Sequence, residues 1–215
     1  MDFGKIGTFF SSGGFWMWPI VFMSIVAVAV IVERFIFLYL RHNINADVFM
    51  QDIKRHVQTG NIDAAIRVCN NGDQSALARV IKEGLTRANR SPDEIQNALE
   101  EISLQVTPEI TKRGTLLQNI ANIATLLGLL GTILGLIQAF SALKEIDDPK
   151  QQSDLLIAGI SVAMNTTAFG LMVAIPCLLS HVMLSSLVKK ILDEIEHYSV
   201  KVENLLITRL QSNKR

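Results

Sequence analysis

Three apolar stretches constrain this chain more than any other feature: Phe15–Leu40, Leu116–Leu143 and Leu155–Val188. Each exceeds the about 20 apolar residues that a helix needs to cross a hydrocarbon core. Inside a bilayer no water satisfies backbone N–H and C=O groups, so uninterrupted single segments of this kind must be helical. The expected class is therefore an all-α polytopic membrane protein with three transmembrane helices. The intervening residues divide it into a short outer terminus with the first span (1–40), a helical cytoplasmic domain (41–115), two spans joined by a short outer loop (116–188) and a C-terminal helical extension (189–215). The first stretch has no basic residues ahead of it in the pattern of a secretory signal and no small-residue cleavage site behind it, so it reads as a retained anchor.

Charge supplies the orientation. Arg34, Arg41, Lys54 and Arg55 follow the first stretch, Lys112 and Arg113 precede the second, and Lys189 and Lys190 follow the third. Basic residues gather on the cytoplasmic side of membrane helices. The segment "KEIDDPKQQSD", Lys144–Asp154, carries more acids than bases and fits the outer side, as does the N-terminus; all three spans then alternate without conflict. Trp16 and Trp18 fall at the outer boundary, where indole rings favour the headgroup layer. A net charge of +0 leaves no global basic patch for nucleic acid. Cys69 and Cys177 are the only cysteines and lie far apart without ligand-like neighbours, which supports neither a disulfide framework nor a metal site. Cys177 reads as a small apolar residue within a span.

In the 41–115 stretch, "SPDEIQNALEEI" places Ser91 as N-cap, Pro92 at the first helical position and Glu94 at the third, a capping box. Ile95, Leu99 and Ile102 then recur at helical spacing. Gly60, Asn61 and the "NNGDQ" of Asn70–Gln74 read as turns between shorter helices. Beyond the third span, Ile191, Ile195, Tyr198, Val202 and Leu205 recur at steps of four, three, four and three, a seam by which the third helix would continue and pack on a neighbour. The competing reading is an amphipathic tail lying on the bilayer.

On a helical wheel of about 100° per residue, Ala121, Ala124, Gly128, Gly131, Gly135, Ala139 and Ala142 form one small-residue stripe along the second span. Gln118, Thr125 and Thr132 follow at intervals of seven along its edge. On the third span Ser153, Ala163, Thr167, Gly170 and Ala174 share a face, extended by His181, with Thr166 beside it. A polar line thus borders a tight interface. The bland account is that Thr132 and Thr167 only bond their own i−4 carbonyls. Two threonines, each on its helix's small-residue face, weigh against that account. Apart from Glu33 and Arg34, adjacent near the inner end of the first span and expected as an inner-interface ion pair with partners on neighbouring chains or the cytoplasmic helices, no acid or base lies deep in any span. Cation pathways through hydrocarbon normally use an intramembrane carboxylate, so if this is an ion pathway a partner supplies it.

"LLQNIANIATLLGLLGTILGLIQAF", Leu116–Phe140, closely resembles the second-helix signature of the MotA/TolQ/ExbB proton-channel family. "TTAFGLMVAIP", Thr166–Pro176, resembles its third helix, and "VERFIFLY", Val32–Tyr39, the Glu-Arg end of its first. Three spans with a large first cytoplasmic loop resemble the ExbB/TolQ branch rather than four-span MotA. The resemblance implies a bacterial inner-membrane homopentamer around two copies of a single-span ExbD/TolR-like subunit with a membrane aspartate, working with a TonB/TolA-like energy transducer. It also implies that Thr132 and Thr167 face that aspartate on the pore side. Two positions depart from the pattern: Thr125 stands where many relatives have proline, and Val162 where many have glutamate. The pair Thr166-Thr167 resembles the threonines of sodium-driven stators, which favours transient sodium at Thr132, Thr166 and Thr167 over protons. No cofactor is expected, and the transported cation is Na+ or H+.

Three function classes compete on these residues. An ion-driven motor subunit accounts for both the stripe and the polar line. A passive scaffold accounts only for the glycines. An intramembrane hydrolase using Ser161 or Ser180 with His181 lacks a nucleophile elbow, and Ser180 is adjacent to the histidine rather than across from it.

Overall fold

The structure, a computed structural model, describes residues 15–41, 45–72, 75–143 and 148–213. They form seven helices: α1 (Met17–Arg41), α2 (Ala46–Gln58), α3 (Ile62–Asn71), α4 (Ala76–Thr86), α5 (Pro92–Thr111), α6 (Leu116–Ala142) and α7 (Pro149–Asn213). The chain divides into two compact units, one from the described residues of Met1–Glu33 with Thr115–Val182, the other from those of Arg34–Gly114 with Met183–Arg215. Stretches long and apolar enough to cross a membrane lie in Met17–Tyr39, Pro92–Ala142 and Pro149–Ser212, which makes this an all-α protein with three membrane-crossing helices. The outer N-terminus and the start of the acidic connection fall outside the described residues.

In the first unit the core is the meeting of three helices. Met17, Ile20 and Ala27 of α1 pack with Ile120, Ala121 and Ala124 of α6 and with Phe169, Val173, Ala174 and Cys177 of α7. Cys177 sits there as an apolar side chain. The opposite faces carry Phe22, Ile25, Leu126, Leu129, Ile133, Met172 and Leu179, all exposed, as large apolar side chains must be when their solvent is lipid. Every buried residue of α6 from Ala121 to Ala139 belongs to the small-residue stripe; Ala142 is half-buried.

In the second unit the local start signals act as their chemistry requires. Ser91 accepts from the Glu94 N–H at 3.3 Å while its hydroxyl donates to the Glu94 carboxylate at 3.1 Å. Asn45 and Asn61 cap α2 and α3 through side-chain oxygens. Gly60, at φ 78°, makes the turn between those helices in a conformation that costs other residues about 1 kcal/mol. Between α5 and α6 a different kind of residue takes the turn conformation: Arg113, not the neighbouring Gly114, has the left-handed φ of 61°. Arg79 of α4 meets Glu109 of α5 at 2.8 Å. Burial pushes the Cys69 thiol up to about 12, so it behaves as an inert core residue.

α7 runs on as one helix of 65 residues, and its seam is the expected one with a correction. Ile191, Ile195, Tyr198 and Val202 are buried, but Leu206 closes the row while Leu205 is only half-buried. On a straight helix the two leucines flank the seam on either side by roughly 50°, so spacing could not choose between them. The tail reading, an amphipathic helix with no packed seam, does not describe this helix.

Tyr198 is the polar member of the seam. Its hydroxyl donates to the Asp47 carboxylate of α2 at 2.5 Å, and Lys201 lies 5.1 Å from its ring centre. That hydrogen bond first, and burial second, push the phenol up to about 12 from its ordinary 10.0. A phenol whose folded value is raised contributes stability that is complete below pH 10 and is lost as pH climbs toward 12. Unfolding of the wild type followed at pH 9 and at pH 12 should therefore show a loss that a Tyr198→Phe variant shows less of. At pH 9 the variant should be about 1 kcal/mol less stable, the worth of the lost hydrogen bond. Identical pH profiles would show that the Tyr198–Asp47 bond does not contribute.

Candidate functional site

The α6–α7 crossing is set by what glycine lacks. A Cβ on Gly128 would lie 3.2 Å from the Thr167 Cα and 3.4 Å from the Gly170 Cα; one on Gly170 would lie 2.7 Å from the Ala124 carbonyl oxygen. A Cβ on Gly135 would meet Ala163 at 3.1 Å, and Gly159, which the sequence reading omitted, meets Ala139 in the same way. Backbones this close bring a main-chain carbonyl of one helix within reach of a short side chain on the other, which longer residues would prevent.

The carbonyl brought into reach is that of Gly128. The Thr167 hydroxyl donates to it across the interface at 2.9 Å, the Thr132 hydroxyl reaches it from one turn along α6 at 3.1 Å, and the two hydroxyls also touch each other. Three oxygens, Gly128 O, Thr132 Oγ1 and Thr167 Oγ1, therefore form a triangle. Both threonines are half-buried, so the triangle lies at the edge of the crossing and is open to approach. Two hydroxyl hydrogens are shared among three acceptors, and at least one hydroxyl keeps lone pairs to spare. By rotation about Cβ–Oγ the site can accept from a neutral carboxylic acid or a cation, or donate to a carboxylate, without carrying fixed charge.

The other expected site residues behave differently. Thr125 is exposed and donates to its own i−4 carbonyl, Ala121, at 3.0 Å; Gln118 is exposed on the same helix, one heptad earlier. Thr166 is 1% exposed and donates to its own i−4 carbonyl, Val162, at 2.8 Å. The bland account of membrane threonines thus holds for Thr125 and Thr166 and also for Thr132, whose acceptor Gly128 is its own i−4 residue, although Thr132 touches Thr167 as well; it falls short for Thr167, which donates across the interface. Ser153 is exposed rather than packed, and His181 is half-buried. Gly128, Gly131, Gly135 and Gly170 all lie buried in the crossing. Glu33 is exposed while Arg34 is 6% exposed with its guanidinium 5.4 Å from the Phe37 ring centre, so the two charges of this dipeptide point to different surroundings. The Gly128 carbonyl is the member that sequence reading missed. The small-residue stripe marks Gly128 only as a packing residue, and no motif reports a main-chain oxygen. No group of three His, Cys, Asp or Glu side chains that could hold a metal occurs among the described residues.

Residues 72–197 match the MotA/TolQ/ExbB proton channel family. The chain belongs to this family. It is 33% identical over 171 residues to the biopolymer transport protein ExbB-like 3 of Synechocystis sp., covering 78% of this chain and 79% of that one. It is 30% identical over 192 residues to the ExbB-like 1 protein of the same organism, covering 86% and 72%. To an ExbB homologue of Methanothermobacter thermautotrophicus it is 27% identical over 173 residues, covering 80% of this chain and 60% of the other. These relatives place it on the ExbB side of this proton channel family, and the match runs from just before α4 into α7 with both threonines of the site inside it.

Proposed function

We propose that this chain is the channel subunit of a cation-driven inner-membrane motor of the ExbB type. Five copies surround two copies of a single-span subunit and couple Na+ or H+ entry to movement of that partner, which an energy transducer then uses in biopolymer transport. The observation that carries this reading is the oxygen triangle of Gly128, Thr132 and Thr167. It is neutral, half-exposed and set at a crossing whose own helices offer no deep carboxylate. A partner's aspartate is the group such a site suits. Ionised, the carboxylate accepts from a hydroxyl; neutralised by a proton, it donates to one; with sodium, the same three oxygens supply ligands to a hard cation. The outer N-terminus and inner C-terminus follow from the basic residues flanking the spans.

The test is co-purification with the single-span partner, then reconstitution in liposomes at fixed membrane potential. Native mass spectrometry should give five copies with two of the partner, and partner-dependent work should rise with sodium at fixed pH, or with proton activity when sodium is absent. A monomer or dimer in mild detergent, or work indifferent to both cations, would refute the proposal. The glycine–alanine stripe alone would also suit a passive scaffold; that reading predicts normal assembly with no cation-dependent work.

A further inference from the structure

The pair Thr166-Thr167 invites the idea that both hydroxyls serve the cation. The geometry divides their labour. We propose that Thr166 is a positioning residue: its methyl group, seated in the space that Gly131 leaves by having no side chain, sets the separation of α6 and α7 at which Thr167 reaches Gly128 and Thr132. The proposal rests on reading the oxygen triangle as the cation site.

Two observations carry it. Thr166 is the most deeply buried polar side chain of the crossing, 1% exposed, and its hydroxyl is turned along its own helix to the Val162 carbonyl. Its methyl group overlaps the place a Cβ on Gly131 would take, and its Cβ would lie 2.9 Å from that atom. Gly131 and Thr166 are thus complementary in shape, a vacancy and the group that fills it. Gly131 lies three residues after Gly128 and one before Thr132, while Thr166 directly precedes Thr167. A change in fit at this contact therefore acts on the triangle with almost no intervening structure. A threonine suits the task because its β-branch is held in few rotamers, so the methyl is a fixed spacer rather than an adaptable one.

The two roles make opposite demands on substitution. A spacer needs the methyl and not the hydroxyl; a cation ligand needs the hydroxyl and not the methyl. In the complete complex, Thr166→Val should keep the oligomer's thermal midpoint and hold the cation concentration at half-maximal activity to about twofold of wild type. Thr166→Ser deletes a buried methyl and should raise that concentration about fivefold or more and lower the thermal midpoint, in line with the typical effect of losing a buried methyl. Gly131→Ala should be impaired on its own and should recover in part in the double variant Gly131→Ala/Thr166→Ser, where the new methyl takes the place of the one removed and only the contact with the residue-166 Cβ, 2.9 Å away, is left to relax. The proposal is overturned if Thr166→Ser matches wild type while Thr166→Val loses its cation response, or if the double variant is no better than Gly131→Ala. Should wild type show no cation-coupled work at all, the motor reading fails, yet the thermal midpoints of the same four variants still decide whether Thr166 is the spacer.

Discussion

Thr132→Val and Thr167→Val should each give a normally assembled oligomer that does almost no partner-dependent work. Valine keeps the branched shape of threonine, so the crossing still packs. The Gly128 carbonyl keeps its helical N–H donor from residue 132, so losing one hydroxyl should cost assembly no more than about 1 kcal/mol. Work is another matter. With one hydroxyl replaced by methyl, a partner carboxylate must pass an apolar wall in a low-dielectric setting. Leaving a charged group there without its hydrogen bond costs more than the about 1–3 kcal/mol of a neutral one. Each 1.4 kcal/mol or so is tenfold in rate, so activity should fall by at least about tenfold and, in the double variant, below detection. Size-exclusion profiles matching wild type, together with activity against sodium and pH, check this. Wild-type activity in both valine variants would remove the triangle from the mechanism.

Gly170→Ala should do the reverse, damaging assembly before chemistry can be asked about. The added Cβ would stand 2.7 Å from the Ala124 carbonyl oxygen and 3.1 Å from the Gly128 Cα. Both are main-chain atoms of α6, and neither can swing aside as a side-chain tip can. The helices must part, and overpacking of this kind costs about 1–3 kcal/mol. The parting also draws Thr167 away from Gly128, now 2.9 Å apart. Lower yield of folded oligomer and a lower thermal midpoint are expected, whereas Ala158→Leu, on an exposed part of α7, should change neither. A Gly170→Ala protein as stable as wild type would mean that the crossing is looser than its backbone distances say.

Most of the architecture was legible because it is periodic. Span length sets three helices, and the run Ala121–Ala139 lies on one face by arithmetic alone, with each residue of that stripe buried as expected. What could not be read is what depends on a neighbour. Whether a membrane threonine bonds its own helix or another is invisible in spacing: Thr125, Thr132, Thr166 and Thr167 look alike in the sequence, yet Thr125, Thr132 and Thr166 each reach their own i−4 carbonyl while Thr167 crosses to the carbonyl of the facing helix. Leu206 rather than Leu205 closes the α7 seam for the same reason, since packing partners decide between two positions that the wheel treats equally. The left-handed Arg113 beside an available glycine shows that the identity of a turn residue does not fix which peptide turns.

One of the three oxygens that face the site belongs to the backbone, and this changes how the site can be seen at all. Every residue has a carbonyl, so substitution at position 128 would report only on room for a side chain, and a mutational scan would recover two threonines and a packing glycine. A chemist could still address it. Replacing the peptide link after Gly128 with an ester would weaken that oxygen as an acceptor, and a heavy-isotope label on the same carbonyl would move its infrared stretch clear of the other amides. The arrival of a cation or an acid should then appear as a frequency change at a single, known bond.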